Sequence, residues 1–156
     1  MAIAVGQNAP EIALYDDKKE LFTLSSLLGK KNVVLLFYPG AFTSVCTTEL
    51  NTVNNDLAAY GSETQMVGIS TDSPFVQAEF KKVNGFTFPL LSDHNAEAAD
   101  AYHAKYKGDF TPMKLDRIAR RAAFVIGKDG KVQYAEVLES AGDMPNLDAL
   151  KAVASR

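Results

Sequence analysis

The stretch from Asn32 to Tyr38 constrains this chain more than any other. Val33 to Tyr38 is an unbroken apolar run, partly β-branched, and Pro39 and Gly40 close it. Such a run offers no polar face to water, so it predicts a strand buried on both sides, the central strand of a sheet covered by helices. Directly afterwards, from Ser44 to about Tyr60, the apolar positions Val45, Leu50, Val53, Leu57 and Ala58 recur at helical spacing, and Gly61 stops them. A buried strand that feeds straight into a helix is a building unit of α/β folds.

The flanking segments extend the pattern. Glu11 to Tyr15 and Leu21 to Leu24, joined by the polar Asp16 to Lys19, predict a short N-terminal hairpin, and Ser25 is expected to cap a brief helix ending at Gly29. Met66 to Thr71 reads as a second apolar strand, and Asp72 and Ser73 before Pro74 as a helix start. Phe86 to Leu91 predicts another strand, Asn95 to about Lys105 a helix, and Gly108 to Arg117 an irregular stretch containing Pro112. Ala122 to Ile126 and Lys131 to Val137 flank a Gly-Lys-Asp-Gly turn and form a second hairpin, and Asn146 to Ser155 closes the chain as a helix. Parallel crossovers combined with hairpins at both ends give a mixed sheet in one α/β domain spanning residues 1–156.

Composition excludes several classes. The 156 residues carry 47% apolar and 22% charged side chains, enough to fill a core and unlike a disordered chain. Sixteen basic against nineteen acidic residues leave a net charge of −3 without a basic patch, so no nucleic-acid partner is expected. No apolar run approaches the ~20 residues that span a bilayer, and the start MAIAVGQ lacks a basic leader, so no membrane is expected. The single cysteine, Cys46, has no partner for an internal disulfide, which suits a reducing, cytoplasmic setting. His94 and His103 lie nine positions apart and fall on opposite sides of a helix, so no metal site is expected. No phosphate loop, dinucleotide fingerprint or serine-hydrolase elbow occurs, and no bound cofactor is called for.

Cys46 stands in the first turn of the helix that follows the buried strand. Unpaired backbone N–H groups and the positive end of the helix dipole favour a thiolate there, although cysteine also serves as a small core hydrophobe. Redox Cys-x-x-Cys motifs occupy this junction in thioredoxin-like proteins, but here threonine stands in the first position: Thr43-Ser44-Val45-Cys46. A dithiol mechanism is therefore excluded. Full ionisation of a free thiol raises its reactivity by roughly 30-fold, about 2 kcal/mol. Fast chemistry at Cys46 needs more, such as charge aimed at a leaving group.

Pro39, Thr43 and Cys46 together make a Pro-x-x-x-Thr-x-x-Cys pattern that closely resembles the active site of the peroxiredoxins. The resemblance runs from Gly6-Gln7-Asn8-Ala9-Pro10 through Gly68 to Asp72 and Phe88 to Asp93, and on to Arg121 to Ile126. It implies a thioredoxin-like fold and a peroxidase that reduces hydrogen peroxide or alkyl hydroperoxides. Carried over by residue, it makes Cys46 the peroxidatic cysteine, Thr43 the hydroxyl that meets sulfur and peroxide, and Pro39 a shield against water. Backbone N–H groups of Val45 and Cys46 hold the peroxide, Arg121 stabilises the thiolate and the leaving oxygen, and Glu49 orients that arginine on the substrate side. A plain helix cap for Thr43, a solvated charge for Glu49 and a surface role for Arg121 remain the alternatives. Strand alternation lets only one of Arg120 and Arg121 face Cys46, and the Arg-x-x-Phe spacing favours Arg121.

Asn51 occupies the position, five residues after Cys46, where one branch of the family carries its second cysteine. The chain therefore resembles the one-cysteine type, and its compact length resembles the small bacterial alkyl hydroperoxide reductase E subgroup. The resemblance implies re-reduction by an external thiol or redoxin-type protein, and a homodimer.

Overall fold

The computed structural model describes residues 2–108, 110 and 112–156. Seven strands form one mixed sheet, in the spatial order β2-β1-β5-β4-β3-β6-β7. The N-terminal hairpin pairs β1 (Ala13–Asp16) with β2 (Leu21–Thr23). The strands β3 (Asn32–Phe37), β4 (Thr64–Ser70) and β5 (Leu90–Ser92) run parallel to one another, and β1 joins β5 antiparallel. On the other side β6 (Ala122–Ile126) pairs antiparallel with β3, and β7 (Val132–Val137) with β6. The strand β3 is paired along both edges, as its apolar run requires, although β4 occupies the middle of the order.

Alternation along β3 divides the interior into two cores. Val33, Leu35 and Phe37 face one side, with Ile12, Phe124 and the small helix α3 (Glu97–Ala101). Val34, Leu36 and Tyr38 face the other, against α1 (Ser44–Asn55), α2 (Pro74–Asn84) and α4 (Leu147–Ala154). From those helices Leu50, Val53, Phe80 and Leu150 are each fully enclosed, worth about 1.5–3 kcal/mol per side chain in burial. Residue 46 and its surroundings belong to this second core.

Several local expectations are revised. The helix after β3 ends at Asn55 and continues only as a separate 3-10 turn, Leu57–Tyr60, because Asp56 leaves helical geometry. The brief helix expected after Ser25 is one 3-10 turn, Leu24–Ser26, which starts from Thr23 without a side-chain cap. The strand expected from Phe86 reduces to Leu90–Ser92: Phe86 and Phe88 stack within the second core, and Pro89 has no N–H for a ladder. The helix expected from Asn95 to Lys105 shortens to Glu97–Ala101, and His103 takes a left-handed backbone just beyond it. The stretch expected to be irregular stays so: its one short turn, Pro112–Lys114, has left-handed backbone at Met113 and Lys114, while Asp109 and Thr111 lie outside the described residues. No helix among the described residues is long and apolar enough to cross a membrane.

Gly68 marks where β4 lets the second core close. A Cβ there would stand 2.7 Å from Leu90 Cδ2 and 3.3 Å from Tyr38 Cε1, and both of those side chains are buried. Gly68→Ala should therefore lower the unfolding free energy by about 1–3 kcal/mol in urea denaturation through overpacking. A variant as stable as the parent would show that the core yields at this point.

Candidate active site

The sheet register brings the site together. Ala122, the first residue of β6, pairs with Phe37, the last of β3, so Arg121 arrives beside the point where the chain leaves β3 for α1. Alternation puts Arg121 on the face of Ala123 and Val125, which belong to the second core. Arg120 points away, and its guanidinium lies over the Tyr106 ring, 4.4 Å from the centroid. The choice between the two arginines is thus resolved in favour of Arg121.

Cys46 is the third residue of α1, and the helix buries Cys46, Glu49, Leu50 and Val53. Those positions follow i, i+3, i+4 and i+7, so an acidic side chain occupies the apolar stripe one turn beyond the thiol. Glu49 is fully enclosed, which removes the solvated-charge reading. Arg121 Nη1 donates to Glu49 Oε1 at 2.6 Å, while Nη2 donates to Cys46 Sγ at 3.2 Å and to the Ala141 carbonyl at 2.9 Å. One planar fork is therefore held by a carboxylate and a carbonyl with its edge against sulfur. Glu49 Oε2 and Arg121 Nε are buried without a hydrogen-bond partner among the described residues.

Burial dominates the ionisation of Glu49. It pushes the carboxyl up from 4.5 to about 7, against the attraction of Arg121. Burial also works against the Arg121 charge, but the neighbouring Glu49 and Cys46 outweigh it and raise the arginine above its usual value. The guanidinium is accordingly a fixed charge, and its acidic partner titrates close to neutrality.

Thr43 precedes α1 but makes no side-chain cap. Its hydroxyl donates to the Gly40 carbonyl at 2.8 Å, which disposes of the plain cap reading and leaves its lone pairs available. The first intrahelical bond runs from Thr47 N–H to Thr43 O, so the first-turn amides of Val45 and Cys46 have no partner within the helix.

Cys46 is only 1% exposed, yet it lines a cavity of about 310 Å³ together with Pro39, Thr43, Val45 and Arg121. The opposite wall is apolar: Phe110, Met113, Leu115 and Ile118. Glu49 does not line this cavity, so the substrate-side placement expected for it is corrected: it stands behind Arg121. The apolar wall and the Ala141 carbonyl had no signal in the sequence. They come from irregular segments whose approach to the site depends on tertiary folding. A larger hollow of about 910 Å³, lined by His103, Lys105, Lys107 and Arg120, holds no thiol.

The arrangement presents a sulfur nucleophile to a positive charge and to backbone donors unpaired within the helix, with a small cavity beside it. That combination suits attack on a polar, two-centre substrate whose second atom departs with negative charge.

Comparison with known proteins adds an independent finding. The family model described as the AhpC/TSA family matches residues 5–135. Alkyl hydroperoxide reductase E of Mycobacterium tuberculosis is 36% identical over 137 residues, covering 85% of this chain and 84% of that protein. A putative peroxiredoxin of Synechocystis is 35% identical over 147 residues, covering 86% of this chain and 69% of its own. Among solved structures, peroxidoxin BcpB from Mycobacterium tuberculosis superposes with a TM-score of 0.83 at 31% identity, covering 97% of this chain and 96% of that one.

The buried pair generates a pH-dependent prediction. An acid whose folded pKa lies above its unfolded one binds a proton on folding, so stability falls as pH rises between the two values. Wild-type protein should show this slope from about pH 4.5 to about pH 7. Arg121→Met removes the attraction that holds Glu49 down, so the slope should extend above neutrality, with a loss of about 3–5 kcal/mol once the carboxylate is charged and unpaired. Adding Glu49→Gln should flatten the Arg121→Met profile. Chemical denaturation across this pH range measures all three proteins, and an unchanged profile in Arg121→Met would contradict the coupling.

Proposed function

The chain belongs to the AhpC/TSA family, and from that premise we propose that it reduces hydrogen peroxide and organic hydroperoxides through the single thiol of Cys46. It is an enzyme of the peroxiredoxin class, a thiol-dependent peroxidase with a thioredoxin-like fold and an antioxidant role. The observation that carries the reading of the site is the Arg121 fork, held by Glu49 and Ala141 with its edge on Cys46 Sγ.

In this reading the Cys46 thiolate attacks the terminal peroxide oxygen. A sulfur–oxygen bond forms as the oxygen–oxygen bond breaks, and the electron pair leaves on the second oxygen, which is protonated to water or an alcohol. Sulfur is oxidised to the sulfenic acid and the peroxide is reduced. Arg121 and the first-turn N–H groups of Val45 and Cys46 stabilise the departing negative charge, the class of interaction worth ~3–4 kcal/mol per donor. Thr43 accepts from the peroxide through a free lone pair, and Pro39 closes the cavity to water. Glu49 acts through Arg121.

The sulfenic acid has no second thiol within the chain to condense with. An external thiol or a redoxin-type protein returns it to the thiol, which makes the mechanism one-cysteine. A homodimer and a cytoplasmic location complete the proposal, the first supported by family membership and the second by the lone cysteine. Residues 1–156 serve as one domain in it, because all described strands join one sheet.

One equivalent of hydroperoxide should convert the reduced protein to a sulfenic acid that a dione reagent traps at Cys46, as read by mass spectrometry, with sulfinic acid appearing under excess peroxide. Cys46→Ser should remain folded by circular dichroism and consume no peroxide above the buffer rate. A disulfide between two Cys46 residues as the main product would replace small-thiol resolution by exchange between chains. Turnover in folded Cys46→Ser would remove the cysteine mechanism.

A further inference from the structure

A polar network buried beside the second core ends on the loop that carries Thr43, and the reaction scheme above leaves it unused. Tyr38, Ser70 and Gln77 are fully enclosed. The Tyr38 hydroxyl donates to Gln77 Oε1 at 2.5 Å, and Gln77 Nε2 donates to both Ser70 Oγ and the Leu91 carbonyl at 2.9 Å. Ser70 Oγ in turn donates to Asp72 Oδ2 at 2.6 Å. The same carboxylate oxygen accepts the Ala41 N–H at 2.8 Å. Burial raises the Tyr38 phenol above its usual range, so it stays a donor.

The network forms a closed circuit on one stretch of backbone. It grips Tyr38 at one end and Ala41 at the other, with Tyr38 N–H also bonded to the Ile69 carbonyl in the neighbouring strand. Between those grips lie Pro39 and Gly40, and the Gly40 carbonyl is the acceptor that sets the direction of the Thr43 hydroxyl. Asp72 lies where the sequence suggests a helix start, but Ser73 supplies the cap of α2, accepting from Val76 N–H. The Asp72 side chain turns back to the loop instead.

We propose that Asp72, backed by Ser70 and Gln77, is a positioning residue for peroxide reduction: by holding Ala41 N–H it fixes the Gly40 carbonyl and hence the Thr43 hydroxyl over Cys46. The inference rests on the peroxidase reading of the site. A fixed acceptor is needed because the Thr43 hydroxyl can rotate, and its lone pairs point at the reacting oxygen only while its proton is committed elsewhere. Loss of the Asp72 contact frees the loop, lets that proton wander, and misplaces the hydroxyl by a fraction of the distance that matters for reaction.

The test compares two reactions of the same sulfur. Peroxide reduction needs Thr43, whereas alkylation by iodoacetamide needs only an accessible thiolate. Asp72→Ala should slow thiol loss to hydrogen peroxide by about 10-fold to 100-fold while leaving the alkylation rate within about twofold of wild type. Asp72→Asn, which keeps an acceptor oxygen, should recover most of the peroxide rate. In a Thr43→Val background Asp72→Ala should have little further effect, because the two residues act in one chain of contacts. If Asp72→Ala does not fold, Ser70→Ala, which removes the donor that orients the Asp72 carboxylate, carries the same comparison in the two backgrounds.

Equal losses in peroxide reduction and alkylation, or full additivity with Thr43→Val, would overturn the positioning role. So would a wild-type rate in Asp72→Ala, with the peroxidase reading left standing. Failure of the wild-type protein to react with peroxide would overturn both.

Discussion

A guanidinium and a carboxylate enclosed under the N-terminus of a helix are the constraint on which this site turns. Taking either charge out of water is costly, and the pair recovers that cost only when its hydrogen bonds are well made. Arg121 goes most of the way with three contacts, to Glu49, Cys46 and Ala141, while its Nε and Glu49 Oε2 stay without a partner among the described residues. Because the fork is planar and anchored on two sides, its remaining edge has one direction left, toward the sulfur. Aim is thus a by-product of satisfying a buried charge.

The sheet makes that geometry available. Antiparallel register between β3 and β6 delivers Arg121 to the end of β3, and the chain reverses through Pro39 to Thr43 to start α1 there. The helix then returns Glu49 to the same depth one turn later. Strand register, loop and helix all contribute to the site, so a shift of one residue in β6 would exchange Arg121 for Arg120 and leave Glu49 unpaired. Ala123 and Val125 of β6 share the second core with Leu50, Val53 and Phe80, while Phe124 and Ile126 fill the first, which opposes such a shift.

Much of this was legible in the sequence because its signals are local. The apolar run of β3, the Gly-Lys-Asp-Gly turn before β7 and the Ser73-Pro74 start of α2 each arise from neighbouring residues. The spacing of Pro39, Thr43 and Cys46 is equally local. The rest depends on distant packing. Phe86 to Pro89 has strand composition but is drawn into an aromatic cluster, and the burial of Glu49 is invisible until Arg121 arrives from 72 residues away. The apolar cavity wall at Met113, Leu115 and Ile118 is assembled from an irregular segment for which no periodic pattern exists.

The central claim is that Arg121, by virtue of its anchored fork, lowers the barrier of the peroxide step beyond what ionisation of the thiol supplies. It is tested most directly by the second-order rate of Cys46 thiol loss to hydrogen peroxide in Arg121→Lys and Arg120→Lys, at a pH high enough to ionise the thiol in every variant. Lysine retains the charge and loses the fork, so Arg121→Lys should fall by roughly 10²-fold or more while Arg120→Lys stays near wild type. A wild-type rate in Arg121→Lys would contradict the account, and a large loss confined to Arg120→Lys would assign the role to the wrong face of the strand.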